Sequence, residues 1–169
     1  MTMRLVSLFV LAVGILRGQT TPRRDASPGA PVRQPIPFSH KAHAATGMKC
    51  QECHAGAATG EQAGFPETGK CMACHVAIKR ESPHIKVLAA ARNARQRIPW
   101  VRVYKVPDFV FFSHLSHAKA KLSCAECHGP VETREVLTRE IPTDMATCMK
   151  CHAARGASNE CALCHQLGH

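Results

Sequence analysis

The sequence predicts a small, mainly α-helical protein with little regular secondary structure and a core that its own side chains do not fill. Three observations carry that expectation. The chain has 169 residues, of which 45% are apolar, but Phe, Trp and Tyr together make only 5%, too few for a conventional core of this size. Charged residues are 20% and no long polar tract occurs, so wholesale disorder does not fit either. All ten cysteines fall into five copies of one short pattern. A formal net charge of +10 would ordinarily raise nucleic acid or an anionic membrane as partner. That reading has to compete with whatever the cysteines hold.

Taken in order, Arg4 precedes the apolar run Leu5 to Leu16, and the polar stretch Arg17-Gly18-Gln19-Thr20 follows it. Such a run suits the apolar region of a secretory leader and falls short of the roughly 20 residues a bilayer span needs. Residues 1–19 therefore read as a signal peptide, with an uncleaved N-terminal anchor as the alternative. Residues 20–37, rich in Pro, Arg, Ser and Gly, read as a flexible linker. Export follows as the working expectation.

An exported chain with ten cysteines first suggests disulfides. The spacing argues otherwise. The pairs are Cys50 and Cys53, Cys71 and Cys74, Cys124 and Cys127, Cys148 and Cys151, and Cys161 and Cys164. Each is C-x-x-C and each is followed at once by a histidine: His54, His75, His128, His152 and His165. C-x-x-C-H attaches c-type haem, two thiols forming thioethers with the vinyl groups and the next histidine standing under the iron as proximal ligand. Zinc is the rival, because 17 residues separate Cys53 from Cys71 and 20 separate Cys127 from Cys148. The trailing histidines decide against it: five of five by chance is on the order of one in a million. Five c-type haems are the expected cofactors.

Six histidines remain: His40, His43, His84, His114, His117 and His169. Four of them lie in a repeated phrase, Phe38-Ser39-His40-Lys41-Ala42-His43 and Phe112-Ser113-His114-Leu115-Ser116-His117. In each copy the two histidines stand ten and seven residues before a C-x-x-C-H cysteine, and 38–54 aligned with 112–128 gives nine identities in 17 positions. This is an internal duplication. After each copy a proline, Pro66 or Pro142, introduces a further Cys-Met-x-Cys-His unit, and the second copy adds one more at Cys161. The expected organisation is a dihaem module over 38–78, a basic helical connector over 79–108 and a trihaem module over 109–169.

The Phe-x-His-x-x-His phrase ahead of C-x-x-C-H resembles the class III multihaem cytochromes c, small periplasmic electron carriers. Phe112 to His165 looks like their trihaem form, and Phe38 to His75 like a truncated dihaem copy. The five-unit layout also resembles the pentahaem subunit of the alternative quinol-oxidising complex of bacterial respiratory chains. The resemblance implies that the first histidine of each phrase is the distal ligand of the next haem and the second that of the haem after it. His40 would pair with His54, His43 with His75, His114 with His128 and His117 with His152. Two histidines three apart on one helical turn can point to neighbouring irons, which agrees. At the fifth haem, on His165, the match weakens, because the stretch 141–147 has no histidine. Met145 is the nearest side chain able to bind that iron, against a packing-only role for it, with His84, His169 or an open position as alternatives.

Ser82-Pro83 looks like an N-cap and first position, opening a helix to about Arg97 with His84 at its exposed head. A short strand is expected near 101–105. The connector holds eight Lys or Arg over 79–105 against the single Glu81, a solvated face or a docking patch for an acidic redox partner or lipid headgroups. Trp100, Tyr104, Phe109, Phe111 and Phe112 are expected to pack against porphyrin rather than bases. Five haems bring ten propionates, about −10 when ionised, which offsets the +10 and removes the case for nucleic acid. The functional expectation is extracytoplasmic electron transfer between redox proteins, as a periplasmic carrier or as a subunit of a respiratory membrane complex, and not an enzyme. The alternative is a multihaem oxidoreductase with one open haem acting on a small oxyanion.

Overall fold

The computed structural model describes residues 29–166. The leader, the linker up to residue 28 and His169 lie outside the described residues. Within them the chain forms eight short α-helices: α1 (His40–Ala44), α2 (Cys50–Cys53), α3 (Thr68–His75), α4 (Pro83–Asn93), α5 (His114–Lys119), α6 (Ala125–His128), α7 (Met145–Ala154) and α8 (Cys161–Cys164). Two 3-10 turns, Ala55–Ala58 and Val131–Thr133, follow the first C-x-x-C-H unit of each copy. Among the described residues there is no β-strand, only one antiparallel bridge between Val110 and His165. The fold is thus mainly α-helical with little regular structure.

Local chemistry accounts for where the helices begin. Ser39 and Ser113 accept from the backbone N–H of Ala42 and Ser116, capping α1 and α5, and Asp144 accepts from Thr147 to cap α7. Pro83 occupies the first position of α4, where its missing N–H costs nothing. That helix ends at Asn93, short of the expected Arg97. Arg95 takes a left-handed φ of 54°, its N–H bonds to the Arg92 carbonyl, and the Gln96 N–H reaches back to Ala91. This is a Schellman ending built on arginine where glycine is usual.

The strand expected near 101–105 is replaced by an extended segment paired with a side chain. Gln34 donates through Nε2 to the Val101 carbonyl and accepts from the Val101 N–H, both at 2.9 Å. One amide side chain thereby satisfies the backbone groups that a neighbouring strand would have taken.

Few side chains are buried. Ile36, Leu88 and Ile98 form one cluster, with Cys71, Met72, Ile85, Ala91 and Trp100 packed against it where α3 meets α4. The two copies dock reciprocally. Helix α1 lies against the 131–133 turn of the second copy, and α5 lies against the 55–58 turn of the first. The Lys41 N–H donates to the Arg134 carbonyl at 3.0 Å, and the Leu115 N–H to the Gly60 carbonyl at 2.9 Å. Donors and acceptors are each displaced by 74 positions, as the repeats are, so each copy lends the other the same contact.

Candidate functional site

Each C-x-x-C-H unit lies on or at the end of a helical turn: on α2, α3, α7 and α8, and on α6 with Cys124 as its N-cap. Cysteines three apart on a turn share one face, which is what two thioether bonds to one macrocycle require. No disulfide joins any of the ten cysteines among the described residues. Burial raises the Cys71, Cys124, Cys127 and Cys148 thiols above their usual range, so these stay protonated at neutral pH. Among the described residues no three His, Cys, Asp or Glu side chains converge as a metal cage would need.

The histidines are arranged in facing pairs. The His40 and His54 ring centres are 6.5 Å apart and the rings 10° from parallel, and those of His114 and His128 are 6.4 Å apart and 1° from parallel. His43 lies 6.1 Å from His75, and His117 lies 6.2 Å from His152. Two imidazoles bound to one metal from opposite sides through bonds of about 2 Å have ring centres roughly 6 to 6.5 Å apart. The spacing fits a metal between each pair.

The other nitrogen of each ring strengthens that fit. Seven rings hold Nδ1 on a backbone carbonyl: His43 on Ser39 (2.7 Å), His54 on Gly64 (2.7 Å), His75 on Ile78 (3.0 Å), His114 on Glu61 (2.7 Å), His117 on Ser113 (2.8 Å), His152 on Ser158 (2.7 Å) and His165 on Phe109 (3.3 Å). A carbonyl can only accept, so Nδ1 carries the proton and Nε2 keeps its lone pair for a metal. His40 is held differently. Its Nδ1 is buried without a partner, and burial, then His54 and His43, lower the ring to about 4, which keeps it a neutral donor at pH 7. Burial, then His114 and His54, lowers His128 as well. Tyr104 meets that ring edge-on at 4.5 Å and donates to the His128 carbonyl at 3.2 Å.

The repeated phrase is a self-contained device. Phe38 stacks on His43 at 4.3 Å and meets His40 edge-on at 4.8 Å, and Phe112 does the same for His117 and His114 at 4.6 and 4.8 Å. The serine between them caps the helix with its hydroxyl and holds the second histidine with its carbonyl. These two phenylalanines therefore brace the imidazoles. The carbonyls of Glu61 and Gly64 are functional groups that sequence reasoning could not find, since every residue carries one. Both come from one loop, which turns through the left-handed φ of 72° at Gly64 and serves a histidine of each copy.

A model of the class III cytochrome c family matches residues 18–102, half of the chain. The chain belongs to the class III cytochrome c family. A second model, of cytochrome c7 and related cytochromes c, matches residues 110–166. No curated protein matches the sequence. This cytochrome is accordingly a multihaem c-type protein of a family that binds haem through C-x-x-C-H units, carries electrons between redox partners and is typically extracytoplasmic. No helix among the described residues is long and apolar enough to cross a membrane.

Of the candidate sixth ligands for the His165 unit, His84 and Met145 lie among the described residues. His84 is exposed in the first turn of α4, and its ring faces no other aromatic ring or imidazole among the described residues. Met145 opens α7 with 66% of its surface exposed. The His165 ring has Phe109 beside it at 5.9 Å and no facing imidazole among the described residues.

Proposed function

We propose that this cytochrome carries five covalently attached c-type haems outside the cytoplasmic membrane and conducts electrons through them between redox proteins, without making or breaking bonds in a substrate. The ten cysteines Cys50, Cys53, Cys71, Cys74, Cys124, Cys127, Cys148, Cys151, Cys161 and Cys164 would form the thioethers. His54, His75, His128, His152 and His165 would be the proximal ligands, and His40, His43, His114 and His117 the distal ones. The observation that carries this reading is the set of four facing imidazole pairs at 6.1 to 6.5 Å.

Haem supplies the reversible one-electron chemistry of its iron. The chain orients the paired histidines through their Nδ1 contacts, and two histidines on each iron would leave no open position, which favours electron transfer over substrate binding. For the His165 unit we assign Met145 as sixth ligand. It sits one turn before Cys148 on α7, the Cys148 thiol neighbours Cys164, and its exposed side chain is not spent on packing. The basic stretch 79–105 would receive an acidic partner.

A diffusible carrier and a subunit of a quinol-oxidising membrane complex both use this arrangement, and co-purification with membrane subunits separates them. Intact mass should report five haem additions, and low-temperature EPR of the oxidised protein only low-spin signals. An axial high-spin signal from one haem would overturn the closed assignment in favour of an oxidoreductase with an open iron.

A further inference from the structure

Sequence order and spatial order differ here. We propose that the five attachment units form one unbranched chain in the order 71–75, 50–54, 124–128, 148–152, 161–165, so that the passage between the two copies runs from the 50–54 unit to the 124–128 unit. This rests on the five-haem reading and adds the route.

Two helices tie neighbours within each copy. The histidines of α1 face His54 and His75, so α1 bridges the first two units, and α5 bridges the 124–128 and 148–152 units through His128 and His152. The reciprocal docking of α1 and α5 then sets the first unit of one copy against the first unit of the other, because each helix packs on the turn that follows the opposite copy's first unit. The cysteines occupy the matching places. Cys50 neighbours Cys124, and the His54 ring neighbours His128. Cys71 neighbours Cys53, Cys127 neighbours Cys151 and Cys148, and Cys148 neighbours Cys164. The last unit is fixed beside the approach to α5, where the Phe111 N–H donates to the Cys164 carbonyl at 2.8 Å and Val110 bridges to His165.

The consequence is a pair of termini. The 71–75 unit stands at the basic α3–α4 end and the 161–165 unit at the other, so donor and acceptor meet different surfaces. A route in sequence order would instead cross from 71–75 to 124–128.

Iron positions in an anomalous difference map from crystals of the haem-loaded protein decide between these. The expected result is that the iron of the 50–54 unit has those of 71–75 and 124–128 as its two nearest neighbours. A 71–75 iron closer to the 124–128 iron than the 50–54 iron is would overturn the order. In solution, a ruthenium photoreductant on Val87→Cys, an exposed position on α4, injects electrons at the basic end. Removing the 50–54 haem with Cys50→Ala and Cys53→Ala should slow arrival in the second copy at least 100-fold, and an unchanged rate would overturn the order. Should that double variant not fold, the map alone decides. Five irons in another order overturn this inference only, whereas fewer than five overturn the five-haem reading itself.

Discussion

In the first half of the molecule Ile36, Leu88 and Ile98 are buried against side chains of α3 and α4, whereas α5, α6, α7 and α8 bury no side chain at all. Both halves leave apolar side chains more than half exposed, Val76, Ile78 and Val87 in the first and Phe109, Phe111, Met145 and Leu163 in the second, but among the described residues only the first has a buried cluster beside them. Apolar residues are not scarce in the second half; they lack a partner made of protein. A helix pays its ordering entropy through an apolar face buried against something. In residues 109–166 that surface has to come from the macrocycles. The first half has added a small peptide core to the same device, and with it the only α-helix of the described residues longer than ten residues.

The contrast can be broken most severely by withholding the middle one of the three attached groups from the second half. Cys148→Ala with Cys151→Ala should raise amide exchange across α5 to α8 by orders of magnitude while α3 and α4 keep partial protection. Protection of α7 left intact in that variant would refute the distinction. A chain with all ten cysteines replaced should be largely unfolded by far-UV circular dichroism, because the peptide core is too small to act alone.

A smaller effect should appear from the other side. Leu88, 3% exposed, is the most buried side chain of the cluster, and Leu88→Ala should cost about 2 to 4 kcal/mol in denaturant unfolding of the haem-loaded protein. A loss well under 1 kcal/mol would mean that α3 and α4 are held by haem as fully as α7 is. The second half is probed from the connector: Tyr104→Phe removes a hydroxyl that donates to the His128 carbonyl and accepts from the Glu140 N–H at 3.0 Å. About 1 kcal/mol should be lost, read as a lowered Tm.

Acid should give the mildest and most graded difference. A hydrogen bond from Arg97 holds the Glu67 carboxyl below its ordinary range, Arg134 does the same for Glu140, and the Thr147 backbone N–H does so for Asp144. Carboxylates depressed in the folded state stabilise it fully above about pH 4.5, and that stabilisation is lost as pH falls through the folded-state values. Two of the three lie in the second half, so its exchange protection should decline first in an acid titration from pH 5 downward. An equal decline in both halves would count against this.

Much of the site is written in the sequence because covalent attachment demands fixed spacing. C-x-x-C-H names both thioether positions and the adjacent histidine without reference to the fold, and the duplicated phrase shows which remaining histidines travel together. Ser39, Ser113 and Ser82-Pro83 likewise mark helix starts with side chains a reader can recognise. What stays hidden is backbone. The carbonyls of Glu61, Gly64, Ile78, Ser158 and Phe109 that hold the rings carry no residue-type signal. The end of α4 is hidden for a related reason, since Arg95 and not glycine takes the left-handed position. Gln34 displacing a strand at Val101 is a contact across 67 positions, which no local pattern announces.

The bracing of the imidazoles has a kinetic side. His43 and His117 are each clamped between a phenylalanine ring and a serine carbonyl belonging to the same six residues. When the charge at a ligated metal changes by one unit, a loosely held ring would tilt and its neighbours would follow, adding to the barrier. A ring gripped on its face and at its far nitrogen has little freedom to respond, and an environment organised in advance does not have to rearrange during the event. Six residues of local sequence would thus set a low reorganisation cost at an iron bound there, and the duplication copied the clamp along with the paired histidines.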